Sequence, residues 1–396
     1  MTEMRASDLS SVDMIRKLVG FNTTSRDSNL ALIEFVKGYL AGLGVESRLV
    51  YDAGNRKANL YATLGPEDRP GIMLSGHTDV VPVDGQDWHS DPFEVVEKGG
   101  RLFGRGTADM KSFLAIALAF VPEFLERGLE TPIHLALSYD EEVGCVGVRR
   151  LVEAINAMPV KPAMCIVGEP TEMKVMLAHK GKKYLRARVR GLECHSSLAP
   201  EGVNAVEYAA ELIAFMKSMA RRIAAEGPFD DDYDVPYTTV HVGEIHGGTA
   251  LNIVPRDCWF DFEIRHLPAD DPETLFTAIR AHAQLILEPL MQAVGPNTGF
   301  SFEEMSAFPG LDTDADAAVV NFVKVLAERN DHGKVSFGTE AGLFSKRAGI
   351  PAVVCGPGSI AQAHKPNEFI TYEQVEKCEA FMHRLMDRVC TDQAEA

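Results

Sequence analysis

The 396-residue sequence has no run approaching the ~20 consecutive apolar residues of a membrane span, so no membrane partner is expected. It is short of positive charge, with 39 Lys and Arg against 57 Asp and Glu and a net charge of −18. That deficit argues against a nucleic-acid partner, which needs a basic footprint to neutralise phosphates. Met1–Ser11 mixes Glu3, Arg5 and Asp8 with no apolar core, so no secretory leader is expected. The seven cysteines are odd in number and include no C-x-x-C, which points to reduced thiols in a cytoplasmic protein. Cys165 and Cys355 fall inside apolar runs and read as small core residues. No G-x-S-x-G, H-E-x-x-H or Walker sequence occurs, so serine hydrolase, zincin and P-loop readings lack support. Gly356-Pro357-Gly358-Ser359-Ile360-Ala361 fits a dinucleotide fingerprint, yet Pro366 follows and no helix opens there. It reads as a turn.

What is present is an ordinary globular composition, 46% hydrophobic and 24% charged, at a length that favours two domains. The first 180 residues alternate helical and strand patterns. Helices are expected at 11–19, 28–43, 110–127 and 145–157, and strands at 46–51, 59–64, 71–74, 133–138 and 163–167. This is the pattern of an α/β domain with helices on both faces of a mixed sheet. From Gly181 the order becomes strand, helix, strand, strand, helix, strand, the ferredoxin-like β-α-β-β-α-β arrangement. After Leu311 the α/β pattern returns with a helix at 315–329, a strand at 351–354 and a helix at 372–389. The expected division is therefore residues 1–180 with 312–396, interrupted by an inserted domain at 181–311.

His77-Thr78-Asp79 closes the apolar run Ile72, Met73 and Leu74. An imidazole and a carboxylate two residues apart are unusual at the edge of a core. Asp109, Glu141-Glu142, Glu169 and His364 follow, each just past a strand-like run or in the turn after it. Ligands of an open α/β sheet gather at the carboxyl ends of its strands. Together these residues make a donor set for two divalent metals. Asp109, Glu142 and Glu169 with a bridging hydroxide would balance the charge of two Zn²⁺, while Co²⁺ and Mn²⁺ can occupy the same N/O sites. Adjacent side chains in a turn point different ways, so with Glu142 on a metal Glu141 is placed to face the water as general base. Asp79 is placed to accept a hydrogen bond from the His77 nitrogen remote from the metal.

These residues stand in stretches that resemble the M20 family of dinuclear zinc amidohydrolases and peptidases. The stretches are Ser75-Gly76-His77-Thr78-Asp79-Val80-Val81-Pro82, Gly104-Arg105-Gly106-Thr107-Ala108-Asp109-Met110-Lys111, Asp140-Glu141-Glu142, Gly168-Glu169-Pro170-Thr171 and His364-Lys365-Pro366-Asn367-Glu368. The resemblance implies that Asp109 bridges two ions, one held by His77 and Glu169, the other by Glu142 and His364. It implies that Glu141 is base and then acid, and that Asp79 orients His77. The inserted domain would be a lid and dimerisation domain. His195, in Glu193-Cys194-His195-Ser196-Ser197, would stabilise the oxyanion of the partner subunit's site in a homodimer.

Within the family, the stretches 244–255 and 337–344 resemble the branch that deacetylates acetylornithine in arginine formation. The expected reaction is attack of metal-bound hydroxide on the amide of an N-acyl amino acid, N2-acetyl-L-ornithine first. An aminoacylase, a succinyl-diaminopimelate desuccinylase and a dipeptidase stay open as alternatives, with a non-catalytic amide-binding protein as the remote one. Asn252 and Arg265 are candidates for the substrate carboxylate, since a guanidinium matches it bidentately. Glu340 is the candidate partner of the ornithine ammonium, because a buried cation needs an anion.

Overall fold

A computed structural model describes residues 9–390, so most of the Met1–Ser11 stretch read for a leader lies outside the described residues. The protein has the expected mixed α/β architecture. It divides into two compact units, the second made of residues 180–310 with 335–338 and the first of the remaining described residues. The return of 335–338 to the second unit has no signal in the sequence pattern.

The first unit is organised by a mixed sheet in the order Ser47–Tyr51, Ala58–Leu64, Ile133–Ser138, Ile72–His77, Met164–Val167, Ala352–Val354, Met176–His179, Leu311–Asp312. The four strands from Ile133–Ser138 to Ala352–Val354 are mutually parallel, and the flanking ones are antiparallel. All six residues of Ile72–His77 and all six of Ile133–Ser138 are buried. Parallel strands covered on both sides are rich in apolar residues, and the stretches Ile72–Leu74 and Leu135–Leu137 make these two visible in the sequence. Alternation sends Gly76 toward Met110 and Leu114 on one side, and Ser75 toward Glu340 on the other.

Where the pattern misleads, the cause is local. The helix expected at 110–127 is two helices, Lys111–Ala119 and Val121–Arg127, the second opening with Pro122 in its first turn. Proline has no amide hydrogen and suits a helix start rather than its interior. Strand Met176–His179 has only four residues and went unread. A small antiparallel sheet, Phe369–Thr371, Arg101–Phe103 and Val96–Lys98, joins the loop after Phe103 to the chain just beyond His364.

The second unit is a four-stranded antiparallel sheet in the order Thr239–Gly247, Asp257–His266, Gly181–Arg190, Gly299–Phe308. Helix Ala205–Glu226 and the helical run from Pro272 to Val294 pack on one face through Leu212, Met216, Ile279 and Met291. The helical run contains a π-helical turn at Ala283–Leu287. Chain order and sheet order together give the β-α-β-β-α-β topology.

Candidate metal centre

The parallel core points the carboxyl ends of its strands one way, and the turns leaving them carry the candidate ligands. His77 ends Ile72–His77 and is fully buried. A Cβ on the preceding Gly76 would lie 2.3 Å from the Met110 methyl, so glycine lets the strand close on the segment after Asp109. The Asp109–Met110 peptide bond is cis. Glu141 and Glu142 leave Ile133–Ser138 through Asp140, whose φ is 56°, and His364 itself has φ 63°. Left-handed backbone at a non-glycine residue is uncommon, and here it marks turns held by their surroundings. A Cβ on Gly168, just before Glu169, would fall 2.0 Å from the Phe113 ring.

Asp109 stands between the two imidazoles. Its Oδ1 is 3.1 Å from His77 Nε2, and its Oδ2 is 3.4 Å from His364 Nε2. Glu169 Oε1 lies 3.8 Å from the same His77 nitrogen, and Glu142 Oε2 3.0 Å from the same His364 nitrogen. The donors thus form two trios that share Asp109. Donor atoms of His77, Glu141 and Glu169 lie within 4.8 Å of one another, as do those of His77, Asp109 and Glu142. The structure brings all of these sequence candidates together in one unit.

The electrostatics are those of crowded acids. Burial, then the charge of Asp109, raises Glu142 to about 7 and Glu169 to about 8. Burial and the neighbouring Glu169 push Glu141 well above its ordinary range. Burial opposes the charged form of Asp109, but hydrogen bonds from His364 and His77 hold it below the usual carboxylate range. Bonds to Asp109 and Glu142 raise His364 to about 10; burial works against a charged His77, but Glu169 and Asp109 raise it well above 6.5. So many carboxylates share a buried pocket by holding protons or by binding cations. Imidazole nitrogens and carboxylate oxygens, split into two sets with a shared member, fit two divalent ions.

Asp79 departs from its expected contact. His77 Nδ1 donates to the main-chain oxygen of Asp79 at 2.8 Å, while the nearer carboxylate oxygen is 3.6 Å away. The tautomer that frees Nε2 for a ligand is therefore fixed by a backbone carbonyl. The Asp79 carboxylate instead accepts from the amides of Glu141 at 3.1 Å and Glu142 at 3.3 Å, and from Ser25 Oγ at 2.8 Å. It orders the turn that carries the acid pair.

Glu340 is placed in the interior, 0% exposed, and its two oxygens accept from the hydroxyls of Ser75 and Ser138, each at 2.6 Å. Expected as the partner of a substrate ammonium, it has no free face to offer one, and burial raises its pKa. His195, Asn252 and Arg265 belong to the second unit. His195 is exposed on a turn beside Asn252, whose carbonyl accepts from Ser196 N at 3.0 Å. Arg265 Nε donates to Glu263 at 2.8 Å and stays about one-third exposed.

Sequence reasoning passed over Cys145 and Lys57, which hold the turn that carries the acid pair. Cys145 is buried and binds Glu141 twice, its amide on the carbonyl oxygen at 2.8 Å and its thiol on Oε1 at 3.2 Å. Lys57 bonds both Ser25 O and Asp140 Oδ1 behind the same turn. Their charge alone gave no clue to which turn they would meet.

The model of peptidase family M20/M25/M40 matches residues 73–388. The chain belongs to this family. The acetylornithine deacetylase of Myxococcus xanthus is 34% identical to it over 383 residues, covering 95% of this chain and 96% of the relative. That of Pasteurella multocida is 33% identical over 366 residues, 92% of each. Among solved structures, an M20 metallo-carboxypeptidase from Sulfolobus solfataricus matches with a TM-score of 0.76 at 19% identity, covering 96% of this chain and 98% of that one. This M20 protein is a hydrolase of amide bonds, and the hydrolysis is metal-dependent. Among the described residues no helix is long and apolar enough to cross a membrane.

With Glu142, Glu169 and His364 as the expected ligands, protons and metal would compete for the same atoms, which sets an expected pH dependence. Raised values at Glu142 and Glu169 mean that the metal-free folded chain binds more protons than the unfolded one between about 4.5 and 8, so its stability falls as pH rises through that window. His364 adds in the same sense, its contribution full below about 6.5 and lost toward 10. Lys111, lowered to about 7 by burial, opposes the trend only above pH 7. Metal binding releases those protons, so the gap in Tm between Zn²⁺-loaded and metal-free protein is expected to widen from pH 5 to pH 8. Thermal melts across the series check this; a constant gap would contradict it.

Proposed function

We propose that the protein hydrolyses N2-acetyl-L-ornithine to L-ornithine and acetate, as a cytoplasmic enzyme of arginine biosynthesis. The observation that carries the hydrolysis is Asp109 turned with one oxygen to each histidine, with a Glu141 oxygen within 4.8 Å of donor atoms of His77 and Glu169. The substrate rests on the deacetylase relatives, whose match runs over nine-tenths of the chain.

His77, Asp109 and Glu169 would hold one divalent ion, and Asp109, Glu142 and His364 the other, Zn²⁺ first and Co²⁺ or Mn²⁺ as alternatives. Bound there, the pair polarises an amide carbonyl and makes water easier to deprotonate. Glu141 takes a proton from the attacking water on a carboxylate oxygen. As the C–N bond breaks, the same oxygen returns the proton to the departing amine, leaving acetate and a free amino group. Asn252 and Arg265 take the substrate carboxylate. His195 donates to the developing oxyanion from the second copy of a homodimer, the second unit serving as lid and dimerisation domain.

A panel of acetylornithine, acetylcitrulline, acetylmethionine and succinyl-diaminopimelate, assayed with added Zn²⁺ or Co²⁺, tests the reading. Acetylornithine should have the highest kcat/KM; another winner would move the protein to a neighbouring activity in the family. Because both Glu340 oxygens are taken by serines, Glu340→Gln is expected to leave the order of preference between acetylornithine and acetylmethionine unchanged. A selective loss of acetylornithine turnover would show that Glu340 does reach the ligand.

A further inference from the structure

One buried ion pair lies behind the two loops that carry Asp109 and His364. Arg105 and Glu368 are each 1% exposed, and Arg105 Nη1 donates to Glu368 Oε2 at 2.7 Å. The other carboxylate oxygen, Oε1, accepts three successive backbone bonds from the Asp109 loop: Gly106 N at 3.0 Å, Ala108 N at 2.8 Å and Asp109 N at 3.0 Å. The main-chain oxygen of Glu368 accepts from Gly104 N at 2.9 Å. Arg105 reaches the other way. Its Nη2 donates to Gln86 Oε1 at 2.6 Å, and Gln86 Nε2 donates to the main-chain oxygen of His364 at 3.0 Å. Trp88 covers the guanidinium, 5.1 Å from its ring centre.

We propose that Arg105, Glu368 and Gln86 form a clamp that sets the position of the Asp109 loop relative to His364, and so the occupancy of the ion held by Asp109, Glu142 and His364. They are positioning residues, since none belongs to either donor trio. The inference rests on the metal reading above. Buried charge is costly unless paired and fully bonded, and here every oxygen of Glu368 is engaged by a ligand-bearing loop or by Arg105. A carboxylate can accept all four bonds, whereas an amide must turn an N–H₂ toward either the arginine or the three backbone donors. Asp109 is common to both trios, whereas His364, which Gln86 holds by its main-chain oxygen, belongs to one, so the two ions should respond unequally.

The test is a two-site titration of the full-length metal-free protein with Zn²⁺ against a competing chelator, repeated with Co²⁺ to record the visible absorption of each ion. Glu368→Gln and Gln86→Leu are compared with the wild type. Both should weaken one of the two ions by about 10–100-fold, the size of effect found when partners behind metal ligands are removed. They should leave the other within about threefold and remove the Co²⁺ absorption of the weakened ion first. A change of fold stability alone would weaken both ions together. Wild type that takes up two ions, with variants that match it in both affinities and in the spectrum, overturns the clamp. A wild type that takes up none overturns the metal reading itself. Gln86 is only half-buried, so if Glu368→Gln does not fold, Gln86→Leu decides the outcome by the same criteria.

Discussion

Glu141→Gln is expected to lower kcat for amide hydrolysis by about 10²–10⁴-fold, the usual contribution of a positioned general acid–base, while the protein keeps its metal. The amide is the same size as the carboxylate, so the turn from Asp140 to Cys145 need not move. Its backbone bonds, Cys145 N to Glu141 O at 2.8 Å and Val146 N to Asp140 O at 2.9 Å, do not involve the side chain. What is lost is the ability to take a proton from water and hand it to the amine. Glu142→Gln makes the contrast. Glu142 lies 3.0 Å from His364 Nε2 in the trio that includes Asp109, so its loss should cost metal first and activity as a consequence. Metal content and kcat measured on both variants separate a base from a ligand. Full turnover by Glu141→Gln or Glu141→Ala would rule out the assigned role.

The parts of this site that could be read from the sequence are those whose setting is local. His77 closes an apolar run, and Glu169 follows the short apolar run Cys165–Val167, so a ligand type at a strand end is visible within a few residues. The burial of Ile72–His77 and Ile133–Ser138 shows only in part, through the apolar stretches Ile72–Leu74 and Leu135–Leu137. What stayed hidden depends on partners far along the chain. Glu368 meets the amide of Asp109 across 259 residues, and Glu340 meets Ser75 across 265. Glu340 illustrates the trap: expected as the anion for a buried substrate ammonium, it is satisfied by two serine hydroxyls on adjacent strands. Asp79 shows a finer one. Spacing places it near His77, but only the fold decides that its carbonyl takes the imidazole and its carboxylate the two glutamate amides.

That division of labour makes Asp79→Ala the sharper probe of the two roles. The histidine's acceptor is a main-chain oxygen, 2.8 Å from Nδ1, and survives the substitution. The amides of Glu141 and Glu142 and the Ser25 hydroxyl lose theirs, in a position where Asp79 is 2% exposed. Leaving buried donors without an acceptor costs about 1–3 kcal/mol each when water cannot reach them, so a clear fall in Tm is expected. Metal affinity should drop about 10–100-fold, because the loosened turn carries Glu142, the proposed ligand. The two roles separate at saturating Zn²⁺. If the carboxylate acted only by tuning His77, added metal would restore kcat in full. Since it also fixes the main chain of Glu141, kcat should stay depressed once both ions are bound, with KM for the substrate little changed. Asp79→Asn should fall between, its single carbonyl oxygen able to accept from one amide while its N–H₂ faces the other. Full recovery of kcat in Asp79→Ala at saturating metal would return the carboxylate to the simpler role of a partner to the histidine alone.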